Sequence, residues 1–283
     1  MMRDEPSDNP IAAVAARERR LIDKLAKSPV SELVGMIAPD GSAAGQIPPA
    51  QDWNFNFSLL RWRLVDGPVE SNPIRIRKLV DATERDALMS RLKPWDMIAL
   101  RAHTLNDAEF DGAQGLLVHL EDARPADPEL ESIRESLRQP VTYQHDEFGT
   151  FTFDRQFDWF EANTTWQHKP IKLNLSTDER EDHLASLLAT AEALFARQDS
   201  WHERLTGYSA GKLLELKNEQ WRDQNEPDLT SEDFVSRMAL ESITVYEGGQ
   251  LEFYFDDGDL FEGHTILVSA SLENGPSDVA IAG

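Results

Sequence analysis

Hydrophobic positions along this chain follow two different periods, and the switch between them divides it. Trp53, Phe55, Phe57 and Leu59 alternate with polar residues, which is the period of a half-buried strand. Trp62 and Leu64 continue that pattern, residues 74–77 read as a second strand, and residues 97–102 and 115–120 as two more. Between them Asp81-Ala82-Thr83-Glu84 opens a short helix through Leu88 and Leu92 that Pro94 ends. Residues 51–123 therefore predict a small β-rich domain, a curled sheet or small barrel with a helix. Upstream, Ile11, Val14, Ala15, Leu21, Ile22 and Leu25 recur at helical spacing behind Pro10. A second short helix is expected over residues 30–37, and the breakers from Pro39 to Pro49 read as loop. Residues 1–50 are thus expected to form a helical arm and linker, and residues 124–146 a helical connector.

From residue 147 the signals sharpen. Residues 149–153 and 157–161 flank a turn, and residues 164–166 and 171–175 flank another, so two hairpins are predicted. Ser176 with Glu179 reads as a capping box for a helix carrying Leu184, Leu187, Leu188, Ala191, Leu194 and Phe195 on one side. A second helical region, 201–221, is expected to break at Gly207 and Gly211, and Thr230 with Asp233 caps a third. Strands over 240–246, 250–255 and 265–272 close the domain, the first two joined at Glu247-Gly248-Gly249, with a final short strand over 279–281. Strands, then helices, then strands predict an α+β domain over residues 147–283, its antiparallel sheet covered by helices on one face.

Charge changes the picture. Lys and Arg number 28 against 51 Asp and Glu, a net of −23. Residues 144–283 hold 10 basic and 28 acidic residues, a net of −18, which leaves −5 on the remainder. Such a field repels nucleic acid and anionic lipid and draws basic partners. On charge, then, nucleic acid and membrane are excluded and a basic protein is the expected partner. No apolar run reaches the ~20 residues of a membrane helix, and Met1-Met2-Arg3-Asp4-Glu5-Pro6 lacks a signal-like apolar stretch. With no cysteine there are no disulfides, thiolate ligands or cysteine nucleophiles. The expected location is the cytoplasm.

The segment Phe255-Asp256-Asp257-Gly258-Asp259-Leu260-Phe261-Glu262-Gly263-His264-Thr265-Ile266 carries a resemblance. Together with Gly149-Thr150-Phe151-Thr152-Phe153-Asp154, Trp159-Phe160 and the closing Ala282-Gly283, it makes residues 145–283 similar to the bacterial family catalogued as domain of unknown function 2262. That family has no established activity, so the resemblance implies domain boundaries and no chemistry.

The same segment holds the best candidate site. Asp256, Asp257, Asp259, Glu262 and His264 bring four carboxylates and an imidazole within nine residues. Such a set can bind a partner or, through Asp257, Asp259 and His264, a cation, with Glu262 as general base. The EF-hand spacing is absent, and an acid-rich turn with Leu260 and Phe261 plugging a core explains the same residues. Trp159, Phe160 and Trp166 offer an aromatic patch or simply core. There is no Gly-x-Ser-x-Gly elbow, no phosphate-cradling Gly-x-x-x-x-Gly-Lys loop and no dinucleotide fingerprint. No catalytic residue and no cofactor are assigned. The favoured reading is a non-enzymatic acidic interaction or regulatory module for a basic partner, an immunity-type protein being one version. The alternatives are a cation-dependent hydrolase at the 256–264 hairpin, or a purely structural domain pair. The oligomeric state is not legible.

Overall fold

The computed structural model describes residues 10–46, 51–177, 181–222 and 227–283. The chain forms two compact units, Met1–Gln139 and Pro140–Gly283.

In the first unit, helix α1 (Pro10–Leu25) precedes strands β1 (Val30–Gly45), β2 (Trp53–Leu64) and β3 (Ile74–Val80). Helix α2 (Ala82–Arg91), strands β4 (Met97–Asp107) and β5 (Gly112–Leu120), and helix α3 (Pro128–Leu137) follow. The strands close into a barrel in the order β1-β2-β3-β5-β4, with β3 and β5 parallel. Five strands, a helix between the third and fourth, and closure of the first on the fourth make this an OB-type barrel. Phe55, Phe57 and Leu59 point inward beside Ile74, Ile76 and Leu100, and the alternating Asn54, Asn56 and Ser58 face outward. Asp81 caps α2, its side chain accepting from the Glu84 amide at 2.8 Å.

Two expectations for this unit need correction. Residues 30–37 are not a helix, and residues 39–45 are not linker: both lie in β1, which pairs with β2 on one side and β4 on the other. Pro39 to Gly41 fall in an irregularity of that strand, between the Ile37 and Ser42 pairings. Gly35 shows why the sheet prevails, since a Cβ there would meet the Trp62 Cβ at 2.8 Å and the Arg61 carbonyl at 2.9 Å. Nor is α3 a connector. Asp127 caps it while pairing with Arg63, and Leu130 buries against Met36 and Met97.

The second unit is an eight-stranded sheet in the order β13-β12-β11-β10-β9-β8-β7-β6. Its strands are β6 (Thr142–His145), β7 (Gly149–Asp154), β8 (Trp159–Trp166), β9 (Lys169–Ser176), β10 (Ala239–Val245), β11 (Gln250–Asp256), β12 (Thr265–Ser271) and β13 (Gly275–Ala282). All neighbours are antiparallel except β9 and β10, because the helices α4 (Glu181–Phe195), α5 (Gln198–Gln220) and α6 (Ser231–Arg237) lie between them in sequence. Leu184, Leu187, Leu188 and Leu194 of α4, Trp201 and Leu205 of α5 and Phe234 of α6 pack on one sheet face, against Phe151, Phe160, Leu173, Phe253 and Val268. Helix α5 runs unbroken through Gly207 and Gly211, contrary to expectation, because its buried side holds Trp201, Leu205 and Leu213 on the sheet. The Thr230–Asp233 capping box forms as expected. The Ser176–Glu179 box lies outside the described residues.

Candidate functional site

The loop joining β11 to β12 is organised by one carboxylate. Asp257 is 1% exposed, and its oxygens accept from the amides of Asp259 (3.1 Å), Phe261 (2.6 Å) and Gly263 (3.3 Å). That arrangement folds the loop back so that Leu260 and Phe261 enter the core, Phe261 meeting Trp221 and Phe234 edge-on. Gly258, at φ +55°, sits where a Cβ would lie 2.4 Å from the Arg237 carbonyl oxygen. The Asp256 side chain accepts from the Gly258 amide at 2.9 Å, and the His264 ring bonds the Phe261 carbonyl. Asp259 and Glu262 both take positive φ. Five chemically suggestive residues therefore serve loop geometry first. Among the described residues no three carboxylate or imidazole groups converge as metal ligands. The cation-dependent alternative through Asp257, Asp259 and His264 thus lacks an assembled ligand set, with Asp257 committed to backbone amides.

Trp166 is 2% exposed, edge-on to Phe195 in the core, so it offers no surface patch. Trp159 is half-buried and stacks on Phe157, a residue 54% exposed.

What tertiary structure does assemble is the second face of the eight-stranded sheet. Strand alternation sends apolar residues toward the helices and their neighbours the other way. Strand pairing then aligns Thr152, Glu161, Asn174, Thr244, Glu252, Ser269 and Asp278 in one row across seven strands. At its centre the Glu252 carboxylate accepts from two phenols, Tyr246 at 2.7 Å and Tyr254 at 2.6 Å. Burial, and then the bonded Glu252, raise both phenols, Tyr254 to about 12. Beside them Asn174, 3% exposed, donates to the Thr244 hydroxyl at 3.3 Å. Its Oδ1 and the Trp159 Nε1 are buried without a partner among the described residues. Lys172 pairs with Glu161 at 3.1 Å. Each of these residues is unremarkable in the sequence; only the pairing register brings them together, and the alternation in β11 is the one signal that places Glu252 and Tyr254 on a common face.

Comparison with known proteins divides the chain at the same place as the fold. Residues 145–281 match the family described as an uncharacterized protein conserved in bacteria (DUF2262), so the resemblance of the C-terminal half holds. Residues 18–137 match a domain of unknown function (DUF7021). No curated protein matches the chain. Among solved structures, a single-stranded DNA binding protein from Thermus aquaticus is similar at 11% identity, over 54% of this chain and 76% of that one, with a TM-score of 0.24. The exclusion of nucleic acid drawn from net charge does not stand. The physical error was averaging: the acidic surplus belongs mostly to the second unit, and a whole-chain charge does not describe one barrel face. At that TM-score the likeness assigns no ligand. No described helix is long and apolar enough to cross a membrane.

Proposed function

We propose that the chain is a non-enzymatic binding protein whose C-terminal unit presents the polar sheet face as a docking surface for a basic polypeptide. The observation that carries this reading is the Glu252 carboxylate, held by two neutral phenols instead of a cation, on a face that also bears Glu161 and Asp278. Two phenols stabilise the charge without cancelling it, so the carboxylate keeps its field for an incoming lysine or arginine. Tyr246 and Tyr254 add flat, stiff contact area beside it, the side-chain type that concentrates binding energy at interfaces. A carboxylate flanked by aromatic rings also suits a guanidinium, which can pair with one and stack on the other. The net −18 of residues 144–283 would steer such a partner at low ionic strength.

The test is titration of the full chain with an arginine-rich peptide, followed by calorimetry at two salt concentrations. Glu252→Gln and Tyr254→Phe should each weaken binding about ten-fold, a loss near 1.4 kcal/mol. Glu203→Gln, an equal charge loss on the exposed side of α5, should leave it unchanged. Equal effects of Glu252→Gln and Glu203→Gln would show that net charge alone attracts the peptide, and the face would then have no role.

A further inference from the structure

The barrel carries a second site. Helix α1 packs over β4 and β5, reaching β3 through Glu18, and is pinned at several points. Arg17 bonds Asp111 at 2.8 Å, Lys24 bonds Glu109 at 2.7 Å and Asp107 at 3.1 Å, and Leu21 and Leu25 bury against Phe110. The helix does not seal against the sheet. Two cavities of about 430 Å³ and 490 Å³ open beside it, both bordered by Glu18, Arg75 and Arg77. The first also takes in Asn54, Asn56 and Lys78, and the second Ser58 and Gln114.

These residues share a face for a simple reason. Phe55, Phe57, Ile74 and Ile76 turn inward, so Asn54, Asn56, Ser58, Arg75 and Arg77 turn outward. The result is two arginines two residues apart, flanked by amides and a hydroxyl, on the β2–β3 face that OB-type barrels use for oligonucleotides and oligosaccharides. Arg75 is exposed, its guanidinium reaching the Asn56 side-chain oxygen at 3.2 Å. Arg77 is enclosed, its side chain 16% exposed, and its Nε meets the Glu18 carboxylate at 2.9 Å while a second nitrogen bonds Gln114. A carboxylate from the covering helix therefore already sits where an anionic ligand would meet Arg77.

We propose that this groove binds the phosphodiester backbone of a single-stranded oligonucleotide through Arg75 and Arg77, and that Glu18 competes with the phosphate for Arg77; Lys78 at the rim is already held by Glu84. The outward positions of β2 and β3 carry no aromatic ring between Asn54 and Leu79, so the bases have no stacking platform there. Recognition on this face is through phosphate, and sequence is not read. Arginine suits the task because its planar fork bonds two phosphate oxygens together. A neutral oligosaccharide, the other ligand class of such barrels, would have no use for two neighbouring arginines, and it becomes an outcome of the test.

Fluorescence anisotropy of the full chain with a labelled oligonucleotide of about eight nucleotides, with its abasic counterpart and with a nucleoside monophosphate, decides the matter. The expected result is equal affinity for the base-bearing and abasic strands, and much weaker binding of the monophosphate. The logarithm of affinity should fall with the logarithm of salt at a slope near −1.4, as roughly two neutralised phosphates require. Arg75→Ala, at an exposed position, should weaken binding several-fold and flatten that slope by about 0.7. Glu18→Gln should tighten it several-fold, since Arg77 is then free, while Glu252→Gln in the other unit should change nothing. Binding that ignores both Arg75→Ala and Glu18→Gln overturns the proposal, as does absence of binding at low salt by both the natural chain and Glu18→Gln. A monophosphate as tight as the strand, or a neutral oligosaccharide bound in its place, overturns it too.

Discussion

The carboxylates that organise the two units meet mostly different partners, although Asp81 caps α2 through an amide in the barrel unit and Glu161 pairs with Lys172 in the sheet unit. In the barrel unit they meet cations: Glu18 with Arg77, Asp127 with Arg63, Glu109 and Asp107 with Lys24, Asp111 with Arg17. In the sheet unit the organising carboxylates meet neutral donors instead. Asp257 takes three backbone amides, Glu252 two phenols, and Asp233 the hydroxyl and amide of Thr230. Hydrogen bonds to neutral donors satisfy a carboxylate without cancelling its charge. One unit therefore closes its electrostatics internally, near −5, and the other keeps an outward field near −18. The difference teaches that an acidic surplus need not be strained: it is tolerable where dipoles, and not counter-charges, do the pairing.

The sharpest way to break that comparison is Asp257→Ala. Three amides would lose their acceptor in a buried loop, and the cost should be at least about 3 kcal/mol. Urea unfolding should show it as a lower midpoint for the sheet unit alone, and an unchanged midpoint would mean the loop holds itself. Next in size is Asp127→Ala in the barrel unit. Loss of the α3 cap should cost about 1–2 kcal/mol, and the broken pair with Arg63, whose side chains are 10% and 21% exposed, should add a salt-sensitive part to it. Raising salt should shrink this second loss and leave the first nearly constant, which differential scanning of both variants would read.

pH separates the units as well. The Arg63 guanidinium and the Leu130 amide hold the Asp127 carboxyl below its ordinary value. Its contribution is present above the unfolded value of about 4 and is lost as pH falls. For Tyr254, raised to about 12, the sign reverses: the contribution is intact below about 10 and lost as pH rises toward 12. Ultraviolet titration should find Tyr246 and Tyr254 ionising late, and Glu252→Gln should bring them earlier. No shift on that substitution would show that burial alone raises them. The smallest effect belongs to Lys172→Ala, which breaks an exposed pair with Glu161 and should cost well under about 1 kcal/mol.

Much of the fold was legible because local chemistry and tertiary demand agreed. Alternation at Trp53 to Leu59, the Asp81 and Thr230 caps and the hydrophobic face of α4 each point to the element that forms. Legibility failed at residues 30–45, where Pro39 and Gly41 imitate a loop but fall in an irregularity of β1, whose residues 33–45 pair with β2 and 30–36 with β4. It failed again at Gly207 and Gly211, whose weak helix propensity is outweighed by the packing of their neighbours. At the 256–264 loop the sequence pointed to the right residues with an ambiguous role, since a carboxylate that caps amides and one that waits for a ligand have the same letter.

By itself, the sequence determined two α+β units, the uneven charge and the absence of cysteine chemistry, because these depend on composition and on periods of two and 3.6 residues. Only the tertiary structure decided which polar residues stand together. The row from Thr152 to Asp278 joins seven strands distant in sequence, and Glu18 meets Arg77 across the barrel surface. Strand register and helix docking are long-range choices made by burying apolar faces, so the polar groups carried on the opposite faces become neighbours without any local signal to announce it.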